Sequence, residues 1–271
     1  MIITKLIGGL GNQMFQYACG SSLADRFNAE LKLDITGYET QVKLITPRQY
    51  ELGEFNITEN FATQEEIISK KLFKEKHFHF DSEVLNLPDE TYLNGYWQCE
   101  KYFKNIEKAL RKEFTLKFSP DAKNIAFLEQ IKTVNSVGLH VRRGDYANNE
   151  KTNSFHGLCS LDYYKQAIDY ISENTKNPHF FLFSDDIDWV KENLISNYPM
   201  TMVDCNNSLQ GHFDLSLMKN CKHNIIANSS LSWWGAWLNE NSNKIVIAPK
   251  KWFNDIEINT DDLIPDRWIR L

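Results

Sequence analysis

The second half of the chain alternates short apolar runs with segments of helical periodicity, and this alternation limits the fold more than any other feature. Apolar runs of strand length fall at 136–141, 179–183, 201–203, 224–227 and 244–248, and helical patterns separate them at 162–173, 188–196, 213–221 and 230–239. Parallel neighbours in a sheet need long crossover connections, which are usually helical. The pattern therefore predicts an α/β fold with a doubly wound parallel sheet in this half.

The first half begins with a predicted βαβ unit and is less regular afterwards. Strands at 2–7 and 30–35 flank a helix at 12–27, whose apolar residues recur at helical spacing. The stretch 36–89 gives no clear pattern, whereas a strand at 91–97 and helices at 100–114 and 122–131 follow it. Because the regular alternation starts at residue 136, we divide the chain into domains 1–135 and 136–271.

Composition excludes several classes of protein. With 42% hydrophobic and 24% charged residues in 271, the chain is that of an ordinary globular protein. Thirty basic and 36 acidic residues give a net charge of −6, so no basic domain is available for nucleic acid. The apolar runs are too short to span a bilayer. Five scattered cysteines without C-x-x-C spacing favour a reducing cytosol, so we expect a cytoplasmic protein with no zinc site.

The strongest candidate site is the segment 138–146, Gly-Leu-His-Val-Arg-Arg-Gly-Asp-Tyr. A strand runs directly into Arg142 and Arg143, which places two guanidinium groups at its carboxyl end. Arginine offers planar, permanently charged donors that suit a phosphate or pyrophosphate. An Arg–Asp ion pair that caps the turn explains the same residues and stays open as an alternative.

A second candidate site lies at 224–238, where an apolar strand ends in Asn228, Ser229 and Ser230 and opens a helix. Hydroxyl groups and unpaired backbone N–H groups at a helix N-terminus form a ready anion site. The alternative is a simple helix cap before a tryptophan-rich core helix. Together with the arginines, this strand end would grip the same phosphates from a second side.

Two further segments carry weaker signals. After the run at 180–184, Asp186 and Asp188 match the D-x-D pattern of metal-dependent glycosyltransferases, although Asp188 also stands where a helix N-cap is expected. An acid here would instead accept hydrogen bonds from a nucleobase. The segment 8–13, Gly-Gly-Leu-Gly-Asn-Gln, lacks the features of a dinucleotide or ATP loop. It fits a tight turn that brings a ligand close to the backbone, with Asn12 and Gln13 offering amide groups.

Four segments together resemble glycosyltransferase family 11, the alpha-1,2-fucosyltransferases. They are Gly-Gly-Leu-Gly-Asn-Gln-Met-Phe-Gln-Tyr-Ala at 8–18, His-Val-Arg-Arg-Gly-Asp-Tyr at 140–146, Phe-Ser-Asp-Asp at 183–186, and Asn-Ser-Ser-Leu-Ser-Trp-Trp-Gly-Ala-Trp-Leu at 228–238. The resemblance implies a GT-B architecture of two facing Rossmann-like domains, an acceptor-side one at 1–135 and a GDP-sugar-binding one at 136–271. It also implies GDP-fucose as donor, the 2-hydroxyl of a terminal galactose as acceptor, inversion at the anomeric carbon, and no metal or other cofactor.

The resemblance also implies roles for single residues. Arg142 would bind the β-phosphate of GDP and act in catalysis, while Arg143 would support the loop or the diphosphate. His140 and Asp185 would recognise guanine. The phosphate site would be completed by Asn228, Ser229 and Ser230. A loop would border the donor sugar and the acceptor in the inter-domain cleft, and it would contain Gly9, Gly11, Asn12 and Gln13. An inverting transfer also benefits from a general base on the acceptor hydroxyl, and for this role we choose Asp145, the motif carboxylate nearest the diphosphate, with Glu150 as the next choice. The alternative is that Asp145 only holds the loop of Arg142 and Arg143 in shape.

Animal members of this family resemble membrane-anchored Golgi proteins, whereas this chain shows no transmembrane segment. We therefore expect a bacterial-type cytoplasmic enzyme, with peripheral contact to a membrane-linked glycan such as an O-antigen precursor. Two alternatives remain at this stage. One is a metal-dependent D-x-D glycosyltransferase with another nucleotide sugar, and the other is a non-catalytic carbohydrate-binding module that uses the tryptophan clusters.

Overall fold

The structure is a computed structural model that describes residues 1–39, 48–144 and 150–271. The chain divides into two compact units, Met1–Phe118 with Ile258–Pro265 and Ser119–Glu257 with Asp266–Leu271. The division falls before the helix at 122–133, whereas we expected it after that helix. The reason is packing, because Ile131 of this helix is buried in one cluster with Phe181 and Phe183 of the second unit.

A four-stranded parallel sheet forms the centre of the first unit. In chain order the unit contains β1 (Ile2–Lys5), α1 (Leu10–Phe27), β2 (Leu31–Asp34), α2 (Thr36–Glu39), α3 (Gln64–Ser69), β3 (Lys71–Lys74), β4 (Thr91–Asn94) and α4 (Glu107–Glu113). The strands are arranged in the order β2-β1-β4-β3, and every pair is parallel. The predicted βαβ unit is therefore present.

The first unit also differs from the sequence prediction in three places. The stretch 36–89, which had no assignment, contains α2, α3 and β3. The predicted strand at 91–97 ends at Asn94, since Trp97 has a positive φ of 56° and cannot continue a strand. The helix predicted at 100–114 is broken at Phe103, where φ is −138°, so two 3-10 turns precede α4.

A six-stranded parallel sheet forms the centre of the second unit. In chain order the unit contains α5 (Ala122–Thr133), β5 (Asn135–Val141), α6 (Glu150–His156), α7 (Leu161–Asn174), β6 (Pro178–Ser184), α8 (Ile187–Asn193), β7 (Met200–Val203), α9 (Gly211–Asn220), β8 (His223–Ile225), α10 (Ser230–Leu238), β9 (Val246–Ala248) and β10 (Ile269–Arg270). The strand order is β10-β9-β8-β5-β6-β7. The predicted doubly wound sheet is confirmed, with β10 as an additional strand.

The winding of this sheet reverses between β5 and β8. From β5 the chain proceeds to β6 and β7 on one side, then crosses to β8, β9 and β10 on the other. Alternate residues of β5, Val137, Leu139 and Val141, are buried in a core beneath helix α7. In sheets of this kind, ligands bind beyond the carboxyl ends of the strands at the point of reversal. The loops after β5 and β8 are therefore the place to look for a ligand site.

Candidate functional site

The loops after β5 and β6 bring an arginine and an aspartate together at the carboxyl edge of the second sheet. Val141 at the end of β5 pairs with Ser184 at the end of β6, so the residues that follow the two strands are neighbours. Nη1 of Arg142 lies 2.9 Å from Oδ2 of Asp185. The Arg142 side chain is 23% exposed, which leaves its charge at the surface of the strand ends.

Asp185 also holds the backbone of this loop. The N–H groups of Arg143 and Gly144 both donate to its Oδ1 atom, at 2.8 and 3.0 Å. A Cβ atom on Gly144 would lie 2.5 Å from Oδ2 of Asp185, so the close approach requires glycine at this position. The ion pair considered as an alternative is thus present, and it orients Arg142.

Arg143 has different partners and lies against α8. Its Nε donates to Oδ2 of Asp186 at 3.2 Å, and its guanidinium carbon lies 3.8 Å from the centre of the Trp189 ring. Stacking on an indole and an ion pair together fix the orientation of a guanidinium group. Trp189 was not singled out in the sequence, because one tryptophan in an amphipathic helix gives no signal of such a partner.

His140 lies one residue before the end of β5. It is buried, and its Nδ1 has no hydrogen-bond partner among the residues that the structure describes. Burial lowers the pKa of His140 to about 4; the nearby Asp185 carboxylate opposes this shift and the Arg142 charge adds to it. The imidazole is therefore neutral at pH 7, with one donor and one acceptor nitrogen.

The loop after β8 opens helix α10 with an uncapped N-terminus. Ser229 is the N-cap residue, and its hydroxyl makes no capping hydrogen bond to α10, whose residues are all described. The first backbone bond of the helix runs from the Trp233 N–H to the Ser229 carbonyl at 3.0 Å. The backbone N–H groups before Trp233 have no acceptor within the helix. Together with the helix dipole, they favour the binding of an anion at this end.

The side chain of Asn228, which the sequence predicted as part of the phosphate site, is bonded inside the protein. It is buried, and Nδ2 donates to the carbonyls of His156, Gly157 and Trp252 at 3.0, 3.3 and 3.2 Å. Its Oδ1 accepts from the Cys159 thiol at 3.5 Å. With both amide atoms bonded inside the protein, Asn228 joins two loops beneath α10 and its side chain does not offer a donor to a ligand.

The D-x-D pair does not form a metal site in the described structure. Asp186, not Asp188, caps α8, since its Oδ1 accepts the Trp189 N–H at 3.3 Å. Asp188 is 90% exposed and lies 3.8 Å from Lys191. Across residues 1–39, 48–144 and 150–271, no group of three or more His, Cys, Asp and Glu side chains is arranged to hold a metal ion.

In the first unit, the loop after β1 forms a tight turn into α1. Gly8 has a φ of +77°, a conformation that favours glycine, and Gly9 is the N-cap of α1. The Leu10 N–H in the first turn donates to Oε2 of Glu51 at 3.0 Å. A Cβ atom on Gly9 would lie 3.7 Å from Nη1 of Arg48, so a cation and a carboxylate both lie at this helix end.

Three of the predicted loop residues are bonded or buried inside the first unit. The buried Gln13 donates from Nε2 to the carbonyls of Gly8 and Gln49 at 3.1 and 2.7 Å. Its Oε1 accepts the Glu51 N–H at 2.9 Å, so its amide holds the turn together instead of facing a ligand. Gly11 is buried within α1. Asn12 is half-buried and accepts a hydrogen bond from Gln98 at 2.8 Å.

The tryptophans of α10 belong to the core. Trp233, Trp234 and Trp237 are fully buried, and their rings pack on one another with centroids 5.1–6.2 Å apart. A carbohydrate-binding module needs aromatic faces that a glycan can reach. The described structure therefore does not support the alternative hypothesis that these tryptophans form a carbohydrate-binding surface.

The two candidates for the general base cannot be placed. Asp145 lies outside the described residues, and so does the side chain of Glu150 at the start of α6. Arg48 and Glu51 beside α1, in contrast, are residues that the sequence did not single out. Both come from the irregular stretch 36–89, where the sequence carries no motif or periodicity to mark them.

Comparison with known proteins agrees with the motifs. The model of "Glycosyl transferase family 11" matches residues 1–271. This protein belongs to glycosyltransferase family 11. An Escherichia coli alpha-1,2-colitosyltransferase is 35% identical over 100% of this chain and 99% of its own length. The Escherichia coli O-antigen biosynthesis glycosyltransferase WbnK is 33% identical over 98% and 99%.

More distant relatives extend the comparison. Human galactoside alpha-(1,2)-fucosyltransferase 1 is 25% identical over 85% of this chain and 63% of its own length. A mutant of Arabidopsis thaliana FUT1 in complex with GDP superposes with a TM-score of 0.51 at 9% identity, over 90% of this chain and 69% of that chain. This last likeness concerns the fold, which is α/β of the GT-B class. No helix of the described part is long and apolar enough to cross a membrane.

Proposed function

We propose that this family 11 enzyme transfers L-fucose from GDP-fucose to the 2-hydroxyl of a terminal galactose, with inversion and without a metal ion. The observation that carries the proposal is the arrangement at the reversal point of the second sheet. Arg142 follows β5 and the uncapped N-terminus of α10 follows the neighbouring strand β8. A diphosphate between these two loops would meet a guanidinium group on one side and helix N–H donors on the other.

The chemistry of transfer fits such a site. The acceptor oxygen forms a bond to the anomeric carbon while the bond from that carbon to the GDP oxygen breaks, and GDP leaves with the electron pair. Negative charge grows on the β-phosphate as the bond breaks. Arg142 and the first-turn N–H groups of α10 stabilise that charge in fixed positions, which is the task that a divalent cation performs in D-x-D enzymes. This division of labour supports metal independence.

Different residues support the binding of the guanine base, the position of Arg142 and the removal of the acceptor proton. Neutral His140, with its unpartnered Nδ1, suits a nucleobase edge, which presents both donors and acceptors. Asp185 acts on Arg142 and the loop backbone, so we assign it positioning of the arginine in addition to any contact with guanine. The acceptor hydroxyl loses its proton to a base, for which Asp145 remains our choice and Glu150 the second.

A second donor is favoured by one observation, the 35% identity to an alpha-1,2-colitosyltransferase over the whole chain. Colitose is fucose without the 3-hydroxyl, so a donor with colitose on GDP would differ from GDP-fucose at that position alone. The phosphate site described above would serve either donor. The choice between them therefore depends on residues that face the 3-hydroxyl of the donor sugar.

One assay tests the proposal. Purified protein is incubated in excess EDTA with GDP-fucose or GDP-colitose and with lactose, N-acetyllactosamine or Galβ1-3GlcNAc, and the linkage of the product is determined by NMR. We expect a 2-O-fucosylated galactoside. If a product forms with GDP-colitose alone, the proposed donor is wrong but the proposed reaction stands. Activity that requires Mn²⁺ or Mg²⁺ would contradict the proposed phosphate site.

A further inference from the structure

Three buried glutamines lie at the carboxyl edge of the first sheet, and they differ in how their amides are bonded. Gln13 and Gln16 use both amide atoms; Gln16 accepts the Ile7 N–H at 3.0 Å and donates to the Gly95 carbonyl at 3.1 Å. Gln98 donates from Nε2 to Oδ1 of Asn12 at 2.8 Å. Its Oε1 is buried and has no partner among the described residues.

The unpartnered oxygen of Gln98 is costly for the folded protein. The residue is only 6% exposed, and a buried carbonyl without a donor destabilises the folded protein. If the two amide atoms of Gln98 and those of Asn12 are exchanged, the bond between the residues is kept and the unpartnered atom becomes a donor. Either assignment leaves one polar atom of Gln98 without a partner among the described residues.

The turn that carries Gln98 is held in a strained conformation. Trp97 has a φ of 56°, which is uncommon for a bulky residue, and its indole Nε1 is a second buried atom without a partner in the described structure. The N–H groups of Tyr96 and Trp97 both donate to the carboxylate of Glu75, at 2.6 and 2.9 Å. Glu75 therefore acts as a positioning residue that presents Gln98 next to the first turn of α1.

We infer that the Gln98 side chain binds a hydroxyl group of a sugar, with Asn12 as its neighbour in the same subsite. A sugar hydroxyl both donates and accepts hydrogen bonds, so it satisfies the amide in either orientation. The inference rests on the proposed function, because that function supplies two sugars, the donor sugar and the acceptor galactose. The unpartnered amide atom of Gln98 and its bond to Asn12 carry the inference, and substrates that differ in single hydroxyl groups separate the two sources.

The test compares Gln98→Met with Gln16→Met, the same change at a glutamine whose amide is satisfied. KM is measured separately for lactose and for GDP-fucose, and melting temperature is measured for each variant. We expect Gln98→Met to raise the KM of one of the two sugar substrates about tenfold, the effect of one lost hydrogen bond, and to leave the other KM nearly unchanged. Within the protein it breaks one bond, that to Asn12, so its melting temperature should fall less than that of Gln16→Met. We expect Gln16→Met to lower the melting temperature, because it breaks two bonds.

Substrates that lack single hydroxyl groups identify the partner of Gln98. If Gln98 binds the acceptor, one monodeoxy lactoside will be a poorer substrate than lactose for the wild type and an equal one for Gln98→Met. If it binds the donor 3-hydroxyl, the wild type will prefer GDP-fucose to GDP-colitose and Gln98→Met will not. Binding is also measured by saturation-transfer NMR titration. The acceptor titration uses lactose in the presence of GDP, and the donor titration uses GDP-fucose or GDP-colitose alone.

The binding titrations keep this inference separate from the proposed function. Absence of transfer to any acceptor would contradict the proposed function, while loss of lactose or GDP-fucose binding in Gln98→Met would still support the subsite. Equal binding of both probes by wild type and Gln98→Met would overturn the inference. It would also be overturned if Gln98→Met lowered the melting temperature as much as Gln16→Met, because both amide atoms of Gln98 would then have partners within the protein.

Discussion

Nη1 of Arg142 and Oδ2 of Asp185 lie 2.9 Å apart at the ends of two adjacent parallel strands. The same carboxylate accepts the N–H groups of Arg143 and Gly144, so one side chain fixes both the loop and the charge it presents. The Arg–Gly sequence is therefore explained by Asp185, which stands more than forty residues later in the chain. A side chain on residue 144 would fill the space that the Asp185 carboxylate occupies, and this is the most direct way to displace Arg142.

Gly144→Ala tests this arrangement. The new Cβ would lie 2.5 Å from Oδ2 of Asp185, so the carboxylate must move and the Arg142 ion pair must change. We expect GDP affinity to fall about tenfold or more, as measured by calorimetry, because charge-assisted hydrogen bonds contribute roughly 1.5–3 kcal/mol. Gly211→Ala is the control, since its Cβ would meet Leu231 at an ordinary 3.6 Å and should leave GDP affinity unchanged.

Ser230→Pro tests the N-terminus of α10. Proline is tolerated at the first helical position, and Ser229 has φ −138° and ψ 125°, which a following proline allows. The substitution removes one backbone N–H and the hydroxyl, whereas Ser230→Ala removes only the hydroxyl. We expect Ser230→Pro to weaken GDP binding by a further factor of about 10 beyond Ser230→Ala. Equal affinities for the two variants would exclude that N–H as a phosphate donor.

Asn228→Asp tests the structural role assigned to this residue. A carboxylate would replace a buried amide that donates to three carbonyl oxygens, and an uncompensated buried charge costs about 3–5 kcal/mol. We expect a large loss in the free energy of unfolding by urea. Asn220→Asp is the matched control, because the Asn220 amide bonds the Ser216 carbonyl on the exposed face of α9. A loss no larger than that of the control would contradict the buried role.

His140→Gln tests the neutral imidazole. The pKa of His140 is lowered to about 4 in the folded protein, so the unfolded chain binds a proton between about pH 6.5 and 4 that the folded protein does not. The wild type therefore gains stability as pH rises through this window and loses about 3 kcal/mol as pH falls through it. The variant lacks this dependence, so the difference between the two unfolding free energies should vary with pH. A constant difference from pH 7 to 4.5 would contradict the buried neutral state.

The sequence predicted the parts of the site that depend on strand ends. The alternation of strands and helices places the residues after β5 and β8 side by side, so the positions of Arg142, Ser229 and Ser230 at two neighbouring strand ends were predicted from the pattern. Their contact with a phosphate stays a prediction. Strand β3, Lys71–Lys74, was missed because its residues are mostly exposed and show no apolar alternation. Burial of apolar residues is the signal that periodicity detects, and this edge strand has little of it.

The direction of amide side chains could not be predicted. Asn228 and Gln13 stand in the motifs, but each amide bonds to carbonyl groups of residues far away in sequence, such as Trp252 and Gln49. Gln98, in contrast, belongs to no motif, and its place depends on contacts with Asn12 across more than eighty residues. Composition and spacing describe local structure, whereas these bonds depend on how distant segments meet in the folded chain.

Calorimetric titration of GDP and GMP in excess EDTA tests the central claim most directly. The claim is that Arg142 and the N-terminus of α10 bind the β-phosphate without a metal. We expect the wild type to bind GDP more tightly than GMP. We expect Arg142→Ala to bind GDP about 10 to 100 times more weakly than the wild type and to bind GMP with nearly the same affinity. Equal GDP affinity in Arg142→Ala and wild type, or GDP binding only after addition of Mn²⁺ or Mg²⁺, would contradict the claim.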